Sequence, residues 1–403
     1  MGSIVSFGLE GLELDWGKNS FYNDHSALFR PDDVEVASYF YAEGITEQKP
    51  AFVRPLKSCI RRLELLGYTL ERCAQEYQDL FDSWPEYYDA PPLSYDEFSR
   101  VLARVNVRRV RLPEDDGTDC DLGEYASQVI MADPEFAKLN AGLTRLDRDA
   151  GTFFENVSAL VILRLLAENP QNLDLDVVWR TADVVEGGYV AEEEIYTGVS
   201  ETQRCLIVTE GSTDASILQR SVNLVAPDVA DFFDFVDMTE HYPFTGTGNL
   251  WRFCQGLARI RIQNRVLVLL DNDTSGRDVF QRISGLDLPP RMRVTLLPEL
   301  ADCRSMETLG PTGGSVENVN GRAVSIESFL DLARDADEAP RVRWTAYNEA
   351  MNAYQGELVG KQRYVKKFFK AMNGSAPYDI SKLSMLWDHI VAECTRAQAR
   401  RSS

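Results

Sequence analysis

Acidic side chains that follow two apolar segments are the residues best suited to do chemistry. Residues 205–214 read CLIVTEGSTD and residues 266–273 read VLVLLDND. Apolar runs of this kind, rich in branched residues, are typical of strands that are buried on both faces of a parallel sheet. Because ligands of open α/β sheets bind at the carboxyl ends of the strands, we expect Glu210, Asp271 and Asp273 to meet at one edge.

Carboxylates brought this close together repel one another unless a cation lies between them. Their oxygens are hard ligands that suit Mg²⁺ or Mn²⁺. Asp214 lies one helical turn beyond Glu210, so its side chain can point to the same edge. Each motif by itself also fits a turn or a helix N-cap, and Asp214 also fits an acid favoured by a helix dipole.

The two motifs together resemble the Toprim domain, the metal-binding fold of topoisomerases, bacterial primases and OLD-type nucleases. The resemblance covers about residues 203–335, a third of the chain, with a Glu after the first strand and Asp-x-Asp after the third. It implies an α/β fold with a Toprim-type parallel sheet flanked by helices. It also implies that Glu210, Asp271 and Asp273 are catalytic metal ligands.

The same resemblance implies further site residues. In OLD-type nucleases, a Glu at the start of a similar Ile-Glu segment belongs to a second metal site, a role that Asp214 and Glu327 would fill here. Either residue also fits a helix N-terminus. Two ions could then flank a phosphodiester. Such nucleases commonly add a lysine, yet the chain has none between residues 138 and 361, so Arg277, Arg304 or Lys361 is the expected replacement.

The N-terminal residues carry a second resemblance. Residues 15–19 read DWGKN and residues 25–29 read HSALF, which is similar to the N-terminal module of HEPN/Toprim-associated proteins, a class linked to prokaryotic defence against phage. A HEPN ribonuclease site requires an Arg, four to six further residues and then a His on one helix. None of the three histidines has an Arg at that distance, so HEPN catalysis is excluded.

Charge is distributed unevenly along the chain. The net charge is −21, but residues 341–403 hold eleven Lys and Arg against five Asp and Glu, a balance of +6 that leaves −27 for the remainder. An acidic body with a basic tail predicts contact with nucleic acid through Lys361, Arg363, Lys366 and Lys367. A solvated helix face is the alternative.

Sequence patterns divide the chain into three parts. These are an α+β N-terminal region over residues 1–202, the Toprim-like catalytic domain over residues 203–335 and a basic segment over residues 336–403. Residues 341–403 are predicted to be helical throughout. Their aromatic side chains are expected to pack in a core, with base stacking as the alternative. These side chains are Trp344, Tyr347, Tyr354, Phe368 and Trp387.

Individual elements follow from the same patterns. Alternation and glycines near the N-terminus predict a strand pair, and apolar residues at helical spacing predict a helix over residues 54–84. Residues 105–112 alternate between apolar and basic types and predict an exposed strand. Residues 298–321 are rich in Gly and Pro and predict an irregular loop.

Composition limits the remaining possibilities. Seven cysteines without Cys-x-x-Cys spacing and only three histidines favour a reduced cytoplasm, without a disulfide framework or a zinc site. No apolar run reaches membrane-spanning length, so no membrane partner is expected. The chain has no Gly-x-x-x-x-Gly-Lys-Ser/Thr loop, so an ATPase partner in a defence system would be a separate polypeptide. A homo-oligomer stays open.

Two classes of function are compatible with these sequence features. A topoisomerase would need a domain with a nucleophilic Tyr, and a primase would usually carry a zinc module. The first surviving class is a metal-dependent endonuclease that cuts DNA or RNA, tRNA included, as an effector of antiphage defence. The second is a catalytically inactive module that binds nucleic acid or a partner protein. The full carboxylate set favours the first class, and the missing lysine favours the second.

Overall fold

Contacts within the computed structural model separate the chain into two compact units. The units are Met1–Ser200 and Glu201–Ser403. The structure describes residues 2–41, 45–83, 93–109, 138, 154–236, 247–311, 313–332, 339–374 and 377–396. The border between the units lies within two residues of the one predicted near residue 202, whereas the three-part division as a whole stays a prediction.

The first unit is built on an antiparallel sheet. Its strands are β1 (Ile4–Leu9), β2 (Leu12–Lys18), β3 (Val34–Tyr41), β4 (Ile45–Pro55) and β5 (Asp176–Arg180). In the described residues these strands form one sheet in the order β2-β1-β5-β4-β3. The strand pair predicted near the N-terminus is confirmed as the β1–β2 hairpin.

Helices pack against this sheet around a buried aromatic core. They are α1 (Leu56–Leu66), α2 (Leu70–Asp82), α3 (Tyr95–Leu102), α4 (Ala159–Leu166), α5 (Ala182–Glu186) and α6 (Glu192–Ile195). Short 3-10 turns cover Ser26–Leu28, Val107–Arg109 and Pro170–Asn172. Trp179 is fully buried, and its ring lies 5.6 Å from Phe52 and 6.3 Å from Phe29, centroid to centroid.

Two element predictions for this unit are wrong. The predicted helix over residues 54–84 is two helices, because Gly67 adopts a left-handed conformation (φ 109°) that ends α1. The predicted strand over residues 105–112 is also wrong in its described part, where residues 107–109 form a 3-10 turn. The alternation there came from a turn whose Val107 side chain is buried in the core, and not from a pleated strand.

The DWGKN and HSALF motifs form one corner of the first core. His25 Nε2 lies 2.7 Å from Asp15 Oδ2, and the imidazole stacks on Phe7 with centroids 3.9 Å apart. Burial raises the pKa of Asp15, but hydrogen bonds from His25 and Asn23 outweigh it and bring the pKa below its ordinary value. A Cβ at Gly17 would lie 2.4 Å from the Phe21 carbonyl oxygen, so glycine is required. These contacts give the motifs a structural role.

The second unit contains the parallel sheet predicted from the acidic motifs. Its strands are β6 (Cys205–Val208), β7 (Phe233–Phe235), β8 (Arg265–Leu270) and β10 (Met292–Leu296), with the short β9 (Asn272–Asp273) after β8. The order in the described residues is β10-β8-β6-β7, and each neighbouring pair is parallel. Every residue of β8 is buried, as expected for a strand covered on both faces.

Helices cover both faces of the parallel sheet. The helices that the structure describes in this unit are α7 (Ser212–Val225), α8 (Thr247–Arg259), α9 (Thr274–Ser284), α10 (Lys361–Met372) and α11 (Ser381–Arg396). Short 3-10 turns cover Pro227–Phe232, Asp302–Arg304 and Ile326–Phe329. Side chains of α8 and α9 pack with Val268 and Leu270 of β8. On the other face, Trp387 of α11 donates to Ser221 Oγ of α7 at 2.8 Å and packs on Phe233.

A mixed sheet corrects two further predictions. Its strands are β11 (Met306–Gly310), β12 (Gly313–Glu317), β14 (Arg341–Asn348) and β15 (Ala353–Leu358), in the order β12-β11-β14-β15, while β13 (Ala323–Val324) pairs with β9. The predicted loop over residues 298–321 therefore contains a hairpin. Residues 341–403 are not helical throughout, because Val342 and Leu358 are buried by pairing within this sheet. The α/β class and the helical C-terminus are confirmed.

Candidate metal centre

The ends of β6 and β8 bring the two acidic motifs side by side. Val208 pairs with Val268 in the parallel register, so Glu210 lies level with the end of β8. The Asp271 amide donates a hydrogen bond to Glu210 Oε1 at 3.2 Å. The sheet register alone therefore places the first two predicted carboxylates next to each other.

Asp273 is fixed at the N-terminus of α9. Its Oδ1 accepts a hydrogen bond from the Gly276 amide at 2.7 Å, and its Oδ2 accepts one from Gln355 Nε2 at 2.5 Å. A Cβ at Gly276 would lie 2.1 Å from the Asp271 carbonyl oxygen. Glycine is therefore required for the helix to begin this close to the end of β8.

Asp214 and Glu327 complete the set of five carboxylates. Asp214 lies in the first turn of α7. Glu327 belongs to the 3-10 turn after β13, is 4% exposed and accepts a hydrogen bond from Ser325 Oγ at 2.6 Å. Lys361, the first residue of α10, places its Nζ 3.9 Å from Glu327 Oε1. The structure therefore places a lysine next to the acidic cluster.

Burial, together with the charge of neighbouring carboxylates, raises the pKa of Glu210, Asp214 and Asp271. For Glu210, burial is the largest cause, the charges of Asp273 and Asp214 add to it, and the pKa rises to about 7. Burial and the charge of Glu327 raise the pKa of Asp214 to about 7. For Asp271, burial and all four neighbouring carboxylates raise the pKa well above its ordinary value. The five groups thus lie within electrostatic reach of one another.

Lys361 opposes this repulsion. Its positive charge lowers the pKa of Asp214 and of Asp273, although burial leaves both above their ordinary values. Its side chain is 44% exposed, so the ammonium group also faces solvent. Arg277, another of the expected cations, extends from α9, and its Nη1 would lie 2.4 Å from a Cβ at Gly321, which puts the guanidinium against the Gly321 backbone. Its catalytic role stays a prediction.

The donor chemistry of the cluster fits a divalent cation. Carboxylate oxygens are the ligands that Mg²⁺ and Mn²⁺ prefer, and a cation would relieve the repulsion that raises these pKa values. Among the residues that the structure describes, no group of three Asp, Glu, His or Cys side chains is already arranged to hold a metal ion. The cluster therefore fits a divalent cation in the type and the charge of its ligands.

Gln355 is a site residue that sequence reasoning missed. Its Nε2 donates to Asp273, while its Oε1 accepts from the Ser275 amide at 3.1 Å and from the Thr274 hydroxyl. The β14–β15 hairpin thereby holds the loop that carries Asp273. No local signal marks this glutamine, because it lies 82 residues beyond its partner.

The predicted nucleic-acid-binding residues lie on α10. Tyr364, Val365 and Phe368 are buried, whereas Lys366 and Lys370 are exposed. The other basic residues of this helix are Lys361, Arg363 and Lys367. The arrangement is an amphipathic helix with a basic outer side, and contact with nucleic acid stays a prediction.

Fold and site together define an α/β protein whose parallel strands end in a half-buried acidic cluster, preceded by an antiparallel α+β unit. Residues 1–203 match the family described as HEPN/Toprim N-terminal domain 1. The chain belongs to this family, which indicates a nuclease-like or defence-associated protein. Comparisons with curated proteins and with solved structures gave no match. In the described part of the chain, no helix has the length and apolar character needed to cross a membrane.

The metal-free protein is expected to lose stability as the pH rises through about 7. Glu210 and Asp214 have ordinary pKa values of 4.5 and 3.8 that rise to about 7 in the folded chain. The folded state therefore binds these protons more tightly, and this stabilisation, complete below the ordinary values, disappears as the pH passes the raised ones. In EDTA, the Tm should fall by several degrees between pH 5 and pH 8, since one pKa unit is about 1.4 kcal/mol and 1 kcal/mol is about 2–4 °C.

The Glu210→Gln variant should show a flatter profile, because it removes one of the repelling charges. Glu201→Gln, an exposed site in the same unit, is the matched control and should follow the wild type. A wild-type Tm that stays level from pH 5 to pH 8, or a Glu210→Gln slope equal to that of the wild type, contradicts the account of the cluster.

Proposed function

We propose that this chain is a divalent-metal-dependent endonuclease that hydrolyses phosphodiester bonds in DNA or RNA, tRNA included. We propose further that it acts in the cytoplasm as an effector of prokaryotic antiphage defence. One observation carries the proposal: Glu210 and Asp271 lie side by side at the ends of two parallel strands, with three more carboxylates in electrostatic reach. A fold has little reason to bury so much like charge without a cation to bind.

The carboxylates divide the work by position. Asp271 and Asp273 would hold one ion, and Asp214 and Glu327 would contribute to a second. When bound, Mg²⁺ or Mn²⁺ neutralises the charge of the phosphodiester and lowers the pKa of an attacking water. Glu210, which lies beside Asp271 at the strand ends, would act as the general base that takes a proton from the attacking water.

Lys361 would stabilise the negative charge that develops on the phosphoryl oxygens. Its Nζ lies 3.9 Å from Glu327 and its side chain remains half exposed, so it can reach a substrate at the edge of the cluster. A fixed cation in this position favours the transition state over the ground state. The absence of a lysine from residues 139–360 favoured a binding module that does not cut nucleic acid. The position of Lys361 beside Glu327 favours a nuclease instead.

Other chain segments would bind the substrate and partners. The exposed side of α10 would contact the phosphate backbone through Lys366 and its neighbours, which would make affinity fall with salt. An ATPase sensor, if the defence system has one, would be a separate polypeptide, and a homo-oligomer is compatible with the proposal.

The Glu210→Gln variant tests the proposal directly. It preserves the size of the side chain and its acceptor oxygen for the Asp271 amide, but removes a ligand charge and the proton acceptor. Purified wild-type protein incubated with plasmid DNA and with total RNA should cut one of them in Mg²⁺ or Mn²⁺ and not in EDTA. The variant should lose at least a hundredfold in rate and should fail to protect cells from phage.

Glu201→Gln is the control and should cut and protect as the wild type does. The Glu210→Gln variant must also melt at a temperature no lower than that of the wild type in EDTA. This requirement separates a loss of activity from a loss of folding. A folded Glu210→Gln protein that still protects cells would refute the nuclease proposal and favour the binding module.

Replacement of Lys361 distinguishes its role from that of general basic charge. Lys361→Ala should lower the single-turnover cleavage rate by about 10²–10³, the usual loss when one stabilising donor is removed, and Lys361→Arg should recover part of it. Lys366→Ala, on the exposed side of the same helix, should change mainly the Kd. Equal effects of the two alanine variants on the rate would reduce Lys361 to one phosphate contact among several.

A further inference from the structure

The β14–β15 hairpin exposes two aromatic rings that sequence analysis assigned to a core. Tyr347 and Tyr354 face each other across the two strands, with ring centroids 5.1 Å apart at 71°. Each residue is 49% exposed. The packing prediction is therefore wrong for this pair, whereas Phe368 and Trp387 are buried as expected.

Trp344 extends the aromatic surface along the same face of the hairpin. It pairs with Gly356, two residues from Tyr354 on the neighbouring strand, so both rings leave the sheet on one side. Their centroids lie 6.5 Å apart. A Cβ at Gly356 would lie 2.9 Å from Trp344 Cε3, so the glycine allows the indole to lie across the strand. We call Trp344, Tyr347 and Tyr354 the aromatic face.

Polar neighbours hold the aromatic face in place. The Arg322 guanidinium, which pairs with Glu317 at 3.1 Å, lies over the Trp344 ring, 4.5 Å from its centroid. The Tyr347 hydroxyl donates to the Asn352 side chain at the hairpin turn, where Asn352 has a φ of 49°. Rings fixed in this way lose little freedom when a planar ligand stacks on them.

The same hairpin is anchored to the acidic cluster. Gln355, the residue after Tyr354, reaches Asp273 with its side chain on the opposite face of the strand. Residues 361–370 of α10 follow directly and supply five basic residues. Exposed rings and a basic helix beside the acidic cluster are together suited to a segment of nucleic acid, since bases stack on rings and phosphates pair with cations.

We propose that the aromatic face is a stacking platform for unpaired nucleotides, so that the substrate is a single strand or an unpaired loop and not a continuous duplex. Bases inside a duplex are already stacked on each other and cannot reach a tyrosine ring, whereas splayed bases can. The hairpin would hold nucleotides beside the bond to be cut while the carboxylates at the other face act on it. This inference rests on the proposed function and adds the class of substrate.

The test measures binding separately from cleavage. Fluorescence anisotropy in Ca²⁺ gives the Kd of the full chain for a labelled single-stranded 20-mer, as DNA and as RNA, and for the matching duplexes. Tyr347→Ala with Tyr354→Ala should weaken single-strand binding by at least tenfold, since each stacked base contributes about a tenfold or larger factor. Duplex binding should change less than threefold.

Two controls keep the result interpretable. Tyr189→Ala removes an equally exposed tyrosine (45%) from the first unit and should bind both probes as the wild type does. Tyr347→Phe with Tyr354→Phe preserves both rings and should restore single-strand binding to within about twofold of the wild type. The phenylalanine pair also provides the test if the alanine pair fails to fold.

Four results would overturn the inference, and three of them concern the wild type and the alanine pair. They are unchanged single-strand binding by the folded alanine pair, an equal loss for duplex and single strand, and a wild-type protein that binds neither single-stranded probe. Loss of single-strand binding by a folded phenylalanine pair would also refute stacking. Cleavage by the wild type is scored separately, so a protein that binds single strands through its tyrosines without cutting them would refute the nuclease and leave the platform standing.

Discussion

Like charge at the ends of two neighbouring buried strands is the constraint on which the second unit depends. The pairing of Val208 with Val268 fixes Glu210 beside Asp271, and the strands cannot separate without loss of the parallel sheet. Burial and the mutual repulsion of the carboxylates raise their pKa values, and the binding of protons or of a cation lowers this repulsion. The sheet thus holds mutually repelling carboxylates close together, and a divalent ion would relieve that repulsion.

Elements distant in sequence hold this cluster in shape. Gly276 lets α9 begin against the end of β8, and Gln355 from the β14–β15 hairpin ties down the loop of Asp273. Lys361 at the start of α10 brings a positive charge to Glu327. The C-terminal residues are therefore part of the site, and α11 also covers one face of the sheet through Trp387. Residues of the basic C-terminal segment therefore contact the carboxylates at the strand ends directly.

The features that the sequence predicts correctly are those that depend on residues close together in the chain. The strand-to-carboxylate transitions at Glu210 and Asp271 were visible because a buried parallel strand is a continuous apolar run. The sequence predicts helix for residues 341–358, whereas β14 pairs with β15 next to it and with β11 more than thirty residues away, and the distant pairing leaves no periodic trace in the sequence. Gln355 was missed for the same reason. The sequence offers Lys361 as one of three replacements for the absent lysine, and only the fold places it beside Glu327.

Direct location of the metal tests the central claim that the ends of β6 and β8 form a divalent-cation site. Crystals of the full chain soaked in Mn²⁺ should give an anomalous difference peak about 2 Å from carboxylate oxygens of Asp271 and Asp273, with a second peak near Asp214 and Glu327. Crystals of the Asp271→Ala, Asp273→Ala variant should lose the first peak. Mn²⁺ bound only at other carboxylates, or no peak at a concentration that saturates the protein in solution, would contradict the account.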